Sequence, residues 1–213
     1  MRAAALCALL LVACGRKSPP IADEIDSKSS VIAPTTDPSH DAAAPGESLY
    51  QLHPSLVDQE GRVIGLDAFR GHPVLISMFY AQCKSACPLL VSSVRQLESQ
   101  LSGSERTDLR VLLVSFDGVH DTPSVLAKLA SDHHVDASRW RFASTKDDDA
   151  RTLAAVLGIQ YRPLGGGEFA HNSVLTLLDR TGNVVDTTEA LQAPCDDFTA
   201  HVRATLAATP ARP

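Results

Sequence analysis

A chain of 213 residues is long enough to close one hydrophobic core and short for two. With 44% hydrophobic and 21% charged residues it has a globular balance, and a net charge of -6 excludes a surface built to grip a nucleic-acid backbone. Beyond the N-terminus no apolar run is long enough to cross a bilayer, and no internal repeat is visible.

The chain opens with Arg2 and a short apolar run ending at Cys14, which reads as a signal segment over residues 1–14. Leu11-Val12-Ala13-Cys14 resembles the lipobox of bacterial lipoproteins, in which cleavage leaves the cysteine as a lipidated N-terminus. That resemblance makes Cys14 a lipid anchor and places the protein in the bacterial cell envelope, on the periplasmic side of a membrane. A plain secretory signal is the other reading, and it exports the domain equally. Residues 15–47 are rich in Ser, Pro, Asp and Ala without apolar period, the composition of a flexible tether. This leaves residues 48–208 as the folded domain.

Within it, Tyr50 to Val57 and Arg62 to Ile64, separated by Asp58-Gln59-Glu60-Gly61, predict an N-terminal β-hairpin extension. The run Val74 to Tyr80 predicts a strand buried on both faces. Pro88 then presets a helix whose apolar period is Leu90, Val94, Leu97 and Leu101. Val111 to Phe116 predicts a second buried strand, followed by a helix capped at Asp121-Thr122-Pro123. A short strand at Trp140 to Ala143 precedes a helix opened by Asp147 to Asp149 and closed at Gly158. Val174 to Leu178 and Val184 to Thr187 predict a terminal hairpin, and Phe198, Val202 and Leu206 a final helix. Parallel crossovers followed by a hairpin describe an α/β fold with a central mixed β-sheet flanked by helices.

Cys83 and Cys87 fall between a buried strand and a helix start, where unpaired backbone N–H groups favour negative charge and thiols are expected to ionise easily. Thiolate attacks disulfides and binds metals, so the position suits either chemistry; a plain stabilising disulfide or two small buried hydrophobes are the blander alternatives. Three residues separate the pair, one more than in thioredoxin-type redox loops, so both sulfurs can be aimed at one point without being forced into contact. Two convergent thiolates suit Cu(I), and one imidazole would complete three-coordination. His171, after Gly165-Gly166-Gly167 and before the Val174 strand, is the candidate, expected on a flexible glycine-rich loop; alone it is a weak signal. Cys195 reads as a single thiol, His120, His133 and His134 as solvated, and Asp121 as a helix cap in preference to a site residue.

Phe79 to Pro88, with Cys83 and Cys87 inside it, resembles the signature of the Sco/SenC proteins. Asp117 with Asp121-Thr122-Pro123 resembles that family's second motif, and Phe169-Ala170-His171-Asn172-Ser173 its histidine segment. Lys84 and Gly118 stand where the family commonly has proline, which marks a divergent branch. The resemblance implies a thioredoxin-like fold, one copper ion held by Cys83, Cys87 and His171, and copper delivery to, or thiol maintenance of, the dinuclear copper centre of cytochrome c oxidase.

The expected partners are a copper-acceptor protein such as a respiratory oxidase subunit, a thiol reductant protein, and the membrane through the lipid anchor. The alternatives are a thiol-disulfide oxidoreductase in which Cys83 and Cys87 are the redox-active, catalytic pair, and a copper or redox sensor.

Overall fold

Six consecutive residues, Val74–Phe79, are buried without exception, and they form an interior strand of the main sheet in the computed structural model. The structure describes residues 48–83, 86–189 and 196–208, so the expected signal segment, the lipid anchor at Cys14, the tether and Cys195 lie outside it. Such a strand needs cover on both sides and both edges. It has β4 (Arg110–Ser115) beside it in parallel and β8 (Leu175–Leu178) antiparallel on the other edge, with β3 naming Val74–Phe79 itself.

The sheet runs β2-β1-β5-β4-β3-β8-β9. Its additional strands are β1 (Leu56–Asp58), β2 (Val63–Ile64), β5 (Trp140–Ser144) and β9 (Val184–Thr188). β3, β4 and β5 are mutually parallel; the flanking pairs are antiparallel, which is the mixed sheet expected. The connections are α1 (Ala86–Ser99), a short α2 (Gly103–Asp108), α3 (Pro123–Asp132) and α4 (Asp147–Val156), with α5 (Asp196–Ala207) at the end. The helix α2 was not expected. Its Ser102 side chain accepts from the Glu105 amide while Glu105 returns a bond to the Ser102 amide, a reciprocal cap that starts a helix without any apolar stripe.

The N-terminal hairpin forms over only part of the predicted extent, because Leu49–Gln51 takes a turn of 3₁₀ helix instead of strand. Its turn is held by Asp58, which is fully buried and accepts the amides of Glu60 and Arg62 at 2.9 Å each and the Arg62 guanidinium at 2.8 Å. Burial alone would raise the carboxyl; the Arg62 guanidinium and these amides outweigh it and hold it below the ordinary value. A depressed carboxyl contributes stability above its ordinary range, and that stability is lost as the pH falls through the lowered folded value. Asp58→Ala is therefore expected to cost about 2–3 kcal/mol at neutral pH. Urea unfolding at several pH values checks it, the difference from the parent narrowing on the acid side.

Two further strands, β6 (Tyr161–Gly165) and β7 (Glu168–His171), pair antiparallel as a separate two-stranded sheet. Gly166 and Gly167 are its turn and Gly165 ends the first strand, all three at positive φ, so the flexible loop expected there is a structured hairpin. His171 is the last residue of its second strand.

Candidate metal and redox site

The antiparallel register of β8 on β3, Ile76 opposite Thr176 and Val74 opposite Leu178, carries the start of β8 to the C-terminal end of β3. Ser77 Oγ seals this join by donating to Val174 O at 2.7 Å. The chain leaving β3 enters the cysteine loop, and the chain entering β8 has just left His171. Residues 88 apart in sequence therefore meet, with Cys83 Sγ 4.0 Å from His171 Nε2.

The loop is organised on one carbonyl. Tyr80 O accepts the Cys83 amide at 3.2 Å and the Cys87 thiol at 3.1 Å, and Cys83 and Cys87 share a side-chain hydrogen bond. Both are thiols, and both are buried. Cys87 lies in the first turn of α1, where easy ionisation was expected; the structure reverses that for Cys87. Its bond to Cys83, then burial, then the negative charge of an ionised Cys83 all push the Cys87 thiol upward. A soft cation at the pair would invert this, since coordination deprotonates a thiol outright.

On the imidazole, Nδ1 lies 2.8 Å from Asn172 O, which can only accept. Nδ1 therefore carries the proton and Nε2 presents a lone pair toward Cys83. An acceptor behind the distal nitrogen is the arrangement that orients metal-binding histidines. With metal–sulfur and metal–nitrogen bonds of about 2.3 and 2.0 Å, taken from zinc sites, one ion can bridge two atoms 4.0 Å apart without moving either. Soft sulfur and imidazole donors suit Cu(I), so the residues present fit copper. Among the described residues, no three His, Cys, Asp or Glu side chains form a ready-made cation cage.

Four aromatic rings gather on the imidazole side, two of them against the imidazole itself. Phe116 stacks on Tyr161 with centroids 4.4 Å apart and meets Phe169 at 5.2 Å, Tyr80 at 5.6 Å and His171 at 5.4 Å. Tyr80 also meets Phe169 at 5.1 Å and the His171 ring edge-on at 5.7 Å. Since β6 and β7 share no ladder with the main sheet, these aromatic contacts, with the Tyr80 hydroxyl's bond to the Phe169 backbone, seat the hairpin and with it His171. An apolar sleeve of this kind lowers water access to a metal or thiol site. The sequence carried Tyr80 and Phe169 within the family motifs without a role of their own, and gave Phe116 and Tyr161 no place at the site.

Asp121 was expected to cap α3. The cap position is Thr122, with no side-chain bond, and the Asp121 carboxylate instead accepts the Ala81 amide at 2.8 Å and the Ser115 hydroxyl. It thus ties the cysteine loop to the end of β4. Burial raises the Asp121 carboxyl above its ordinary value despite these bonds, so as the pH climbs from that ordinary value toward the raised one the fold loses stability. Asp121→Ala is expected to cost about 1–3 kcal/mol by leaving a buried amide and hydroxyl without an acceptor. Asp121→Asn keeps a carbonyl oxygen there without the charge and should melt no lower than the parent at neutral pH, which thermal unfolding of both variants tests.

Asp117 accepts from His120 Nδ1 at 2.8 Å, and His133 and His134 sit at the end of α3, so these histidines do not join the thiols. Gly118 lies against β5's exit: a Cβ there would stand 2.1 Å from Thr145 O, which leaves no room for the proline that the Sco/SenC pattern commonly has.

A mixed α/β sheet with a cysteine pair at the strand-to-helix junction and a histidine delivered opposite it is a thioredoxin-like fold. The chain belongs to the SCO1/SenC family, whose sequence profile matches residues 26–207. A protein of Stutzerimonas stutzeri named as copper-binding is 24% identical over 151 residues, 71% of this chain and 68% of that one. The structure of Bradyrhizobium japonicum ScoI with copper bound superposes with a TM-score of 0.60 at 18% identity, covering 72% of this chain and 98% of that one. BsSco, described as a Sco-family cytochrome c oxidase assembly protein with a disulfide switch, gives 0.64 at 20% identity, covering 76% and 96%.

Proposed function

We propose that this chain is a copper metallochaperone of the bacterial envelope, holding one Cu(I) as cargo between Cys83, Cys87 and His171. It passes the ion to a respiratory copper site such as the dinuclear centre of cytochrome c oxidase. The observation that carries the reading is the His171 imidazole, protonated on the nitrogen facing Asn172 O and turning its lone pair to Cys83 Sγ at 4.0 Å. Cys87 exchanges its bond to Tyr80 O for the ion, and its raised proton affinity makes uptake a proton-releasing step. Copper-bound ScoI, the copper-binding name of the S. stutzeri relative and the assembly role described for BsSco support this reading.

A second activity follows from the hydrogen bond between the two sulfurs, which keeps them within reach of one another. A thiolate of the pair attacks a partner disulfide, and the other thiol resolves the mixed intermediate, releasing the partner reduced and leaving Cys83–Cys87 oxidised. A thiol reductant protein must then restore the pair, and only the reduced pair loads copper. Cys14, as a lipid anchor, would keep the domain at the periplasmic face of a membrane where such an acceptor sits.

Loading the reduced chain with Cu(I) without oxygen, followed by metal analysis, tests the cargo; one copper per chain is expected. Deleting the gene should depress the copper-centre signal of the oxidase, with rescue by the parent and not by Cys83→Ser. An unchanged oxidase in the deletion strain would remove the proposed acceptor.

A further inference from the structure

Tyr80 follows β3 at the mouth of the cysteine loop, its ring buried against Phe116 at 5.6 Å, Phe169 at 5.1 Å and the His171 imidazole at 5.7 Å. For that packing a phenylalanine would serve, and a hydroxyl carried into such a place costs free energy unless it is bonded. The Tyr80 hydroxyl bonds to the backbone of Phe169 and to the side chain of Cys83. The Cys83 amide donates to Tyr80 O at 3.2 Å, a turn that sets the two residues beside one another, so the contact with the sulfur is built into the loop.

The two bonds have opposite sense. Burial is the main cause that raises the phenol above its ordinary value; the Phe169 bond works against it, and the charge of Cys83 and the bond to its side chain add to it. A bond that favours the ionised phenol is made to its oxygen, whereas one that opposes ionisation is made by the proton itself. Phe169 therefore donates through its amide, and the single hydroxyl proton is given to Cys83 Sγ. Cys87 is bonded to the same sulfur, and His171 Nε2 stands 4.0 Å from it.

We infer that Tyr80 is a positioning residue for the thiol-disulfide step: by donating to Cys83 Sγ its hydroxyl favours the reduced pair over the Cys83–Cys87 disulfide, and so holds the pair in the form that loads copper. A thiol sulfur, above all an ionised one, accepts a hydrogen bond more strongly than a disulfide sulfur, so the bond contributes more before oxidation than after it. Oxidation by a partner disulfide forms the Cys83–Cys87 bond and breaks the partner's S–S bond, and two electrons and the two thiol protons pass to the partner's sulfurs. The phenol proton is not transferred; it shifts the balance of the exchange. The inference rests on the redox reading of the pair and does not depend on the metal that the site takes.

The test equilibrates the metal-free full chain with mixtures of reduced and oxidised dithiothreitol at neutral pH without oxygen. Alkylation and peptide mass read the state of Cys83 and Cys87 separately from Cys7, Cys14 and Cys195. Tyr80→Phe keeps the ring and is expected to shift the equilibrium about tenfold toward the disulfide, a potential about 30 mV more negative. The same shift should appear when Tyr80→Phe is added to His171→Ala, because the hydroxyl acts on the sulfur directly. An unchanged equilibrium in Tyr80→Phe, with the parent forming the disulfide, would overturn this inference alone. A shift confined to chains that keep His171 would also overturn it, since the hydroxyl would then act by seating the imidazole. If the parent formed no Cys83–Cys87 disulfide, the redox reading would fall and the inference with it.

Discussion

His171→Ala is expected to weaken Cu(I) retention by at least about 100-fold, beyond what loss of an outer partner of a ligand costs, while leaving the Cys83–Cys87 pair able to form a disulfide. The imidazole supplies a nitrogen facing Cys83, yet the two sulfurs remain coupled to each other through their own bond and through Tyr80 O. Cys87→Ser should abolish both properties, because the hydroxyl is neither a soft donor nor able to complete a disulfide. Competition against a chromophoric Cu(I) chelator without oxygen reads the first property, and alkylation before and after oxidation reads the second. If His171→Ala held copper as tightly as the parent, the three-ligand site would be wrong; if Cys87→Ser did so, the thiol pair would not be the site. Should the parent take up no copper yet exchange disulfides at catalytic rates, the redox activity would become the function.

The parts of this arrangement legible in the sequence are those written as local patterns. Val74 to Phe79 announces a doubly buried strand, Pro88 a helix start, and Cys83 with Cys87 a site between them. The reciprocal Ser102 and Glu105 cap was also there to be read, but its helix has no apolar stripe, and apolar period was the signal sought. Tyr161 to His171 defeated that signal differently. Pro163, Leu164 and the glycines give no alternation, so a hairpin stabilised by rings from elsewhere looked like a flexible loop.

Asp121 shows what local reading cannot reach. Its position before Thr122-Pro123 is a good cap, and only the fold brings the Ala81 amide, 40 residues earlier, close enough to compete for the carboxylate. The same holds for His171, whose partner is fixed by the β3–β8 register and not by anything near it in sequence.

Because the hairpin shares no ladder with the main sheet and rests on these rings and on the Tyr80 bond to the Phe169 backbone, Phe116 is expected to control the third ligand without touching a thiol. It is almost fully buried at the end of β4, and its ring alone contacts Tyr80, Tyr161, Phe169 and His171. Phe116→Ala removes that hub and should cost about 3–5 kcal/mol locally, which is comparable with the stability of a single small element. The main sheet keeps its own pairing from β3 to β5, including the bond from the Phe116 amide to Phe79 O, which a change of side chain leaves in place. Amide exchange should therefore accelerate through Tyr161–Gly165 and Glu168–His171 while Val74–Phe79 stays protected. Copper affinity should fall about tenfold, less than in His171→Ala, because the imidazole is still present but must be ordered by the ion itself. Uniform loss of protection across both sheets would mean that Phe116 supports the whole core. Unchanged protection of the hairpin with unchanged affinity would mean that the turn and the β8 junction hold His171 by themselves.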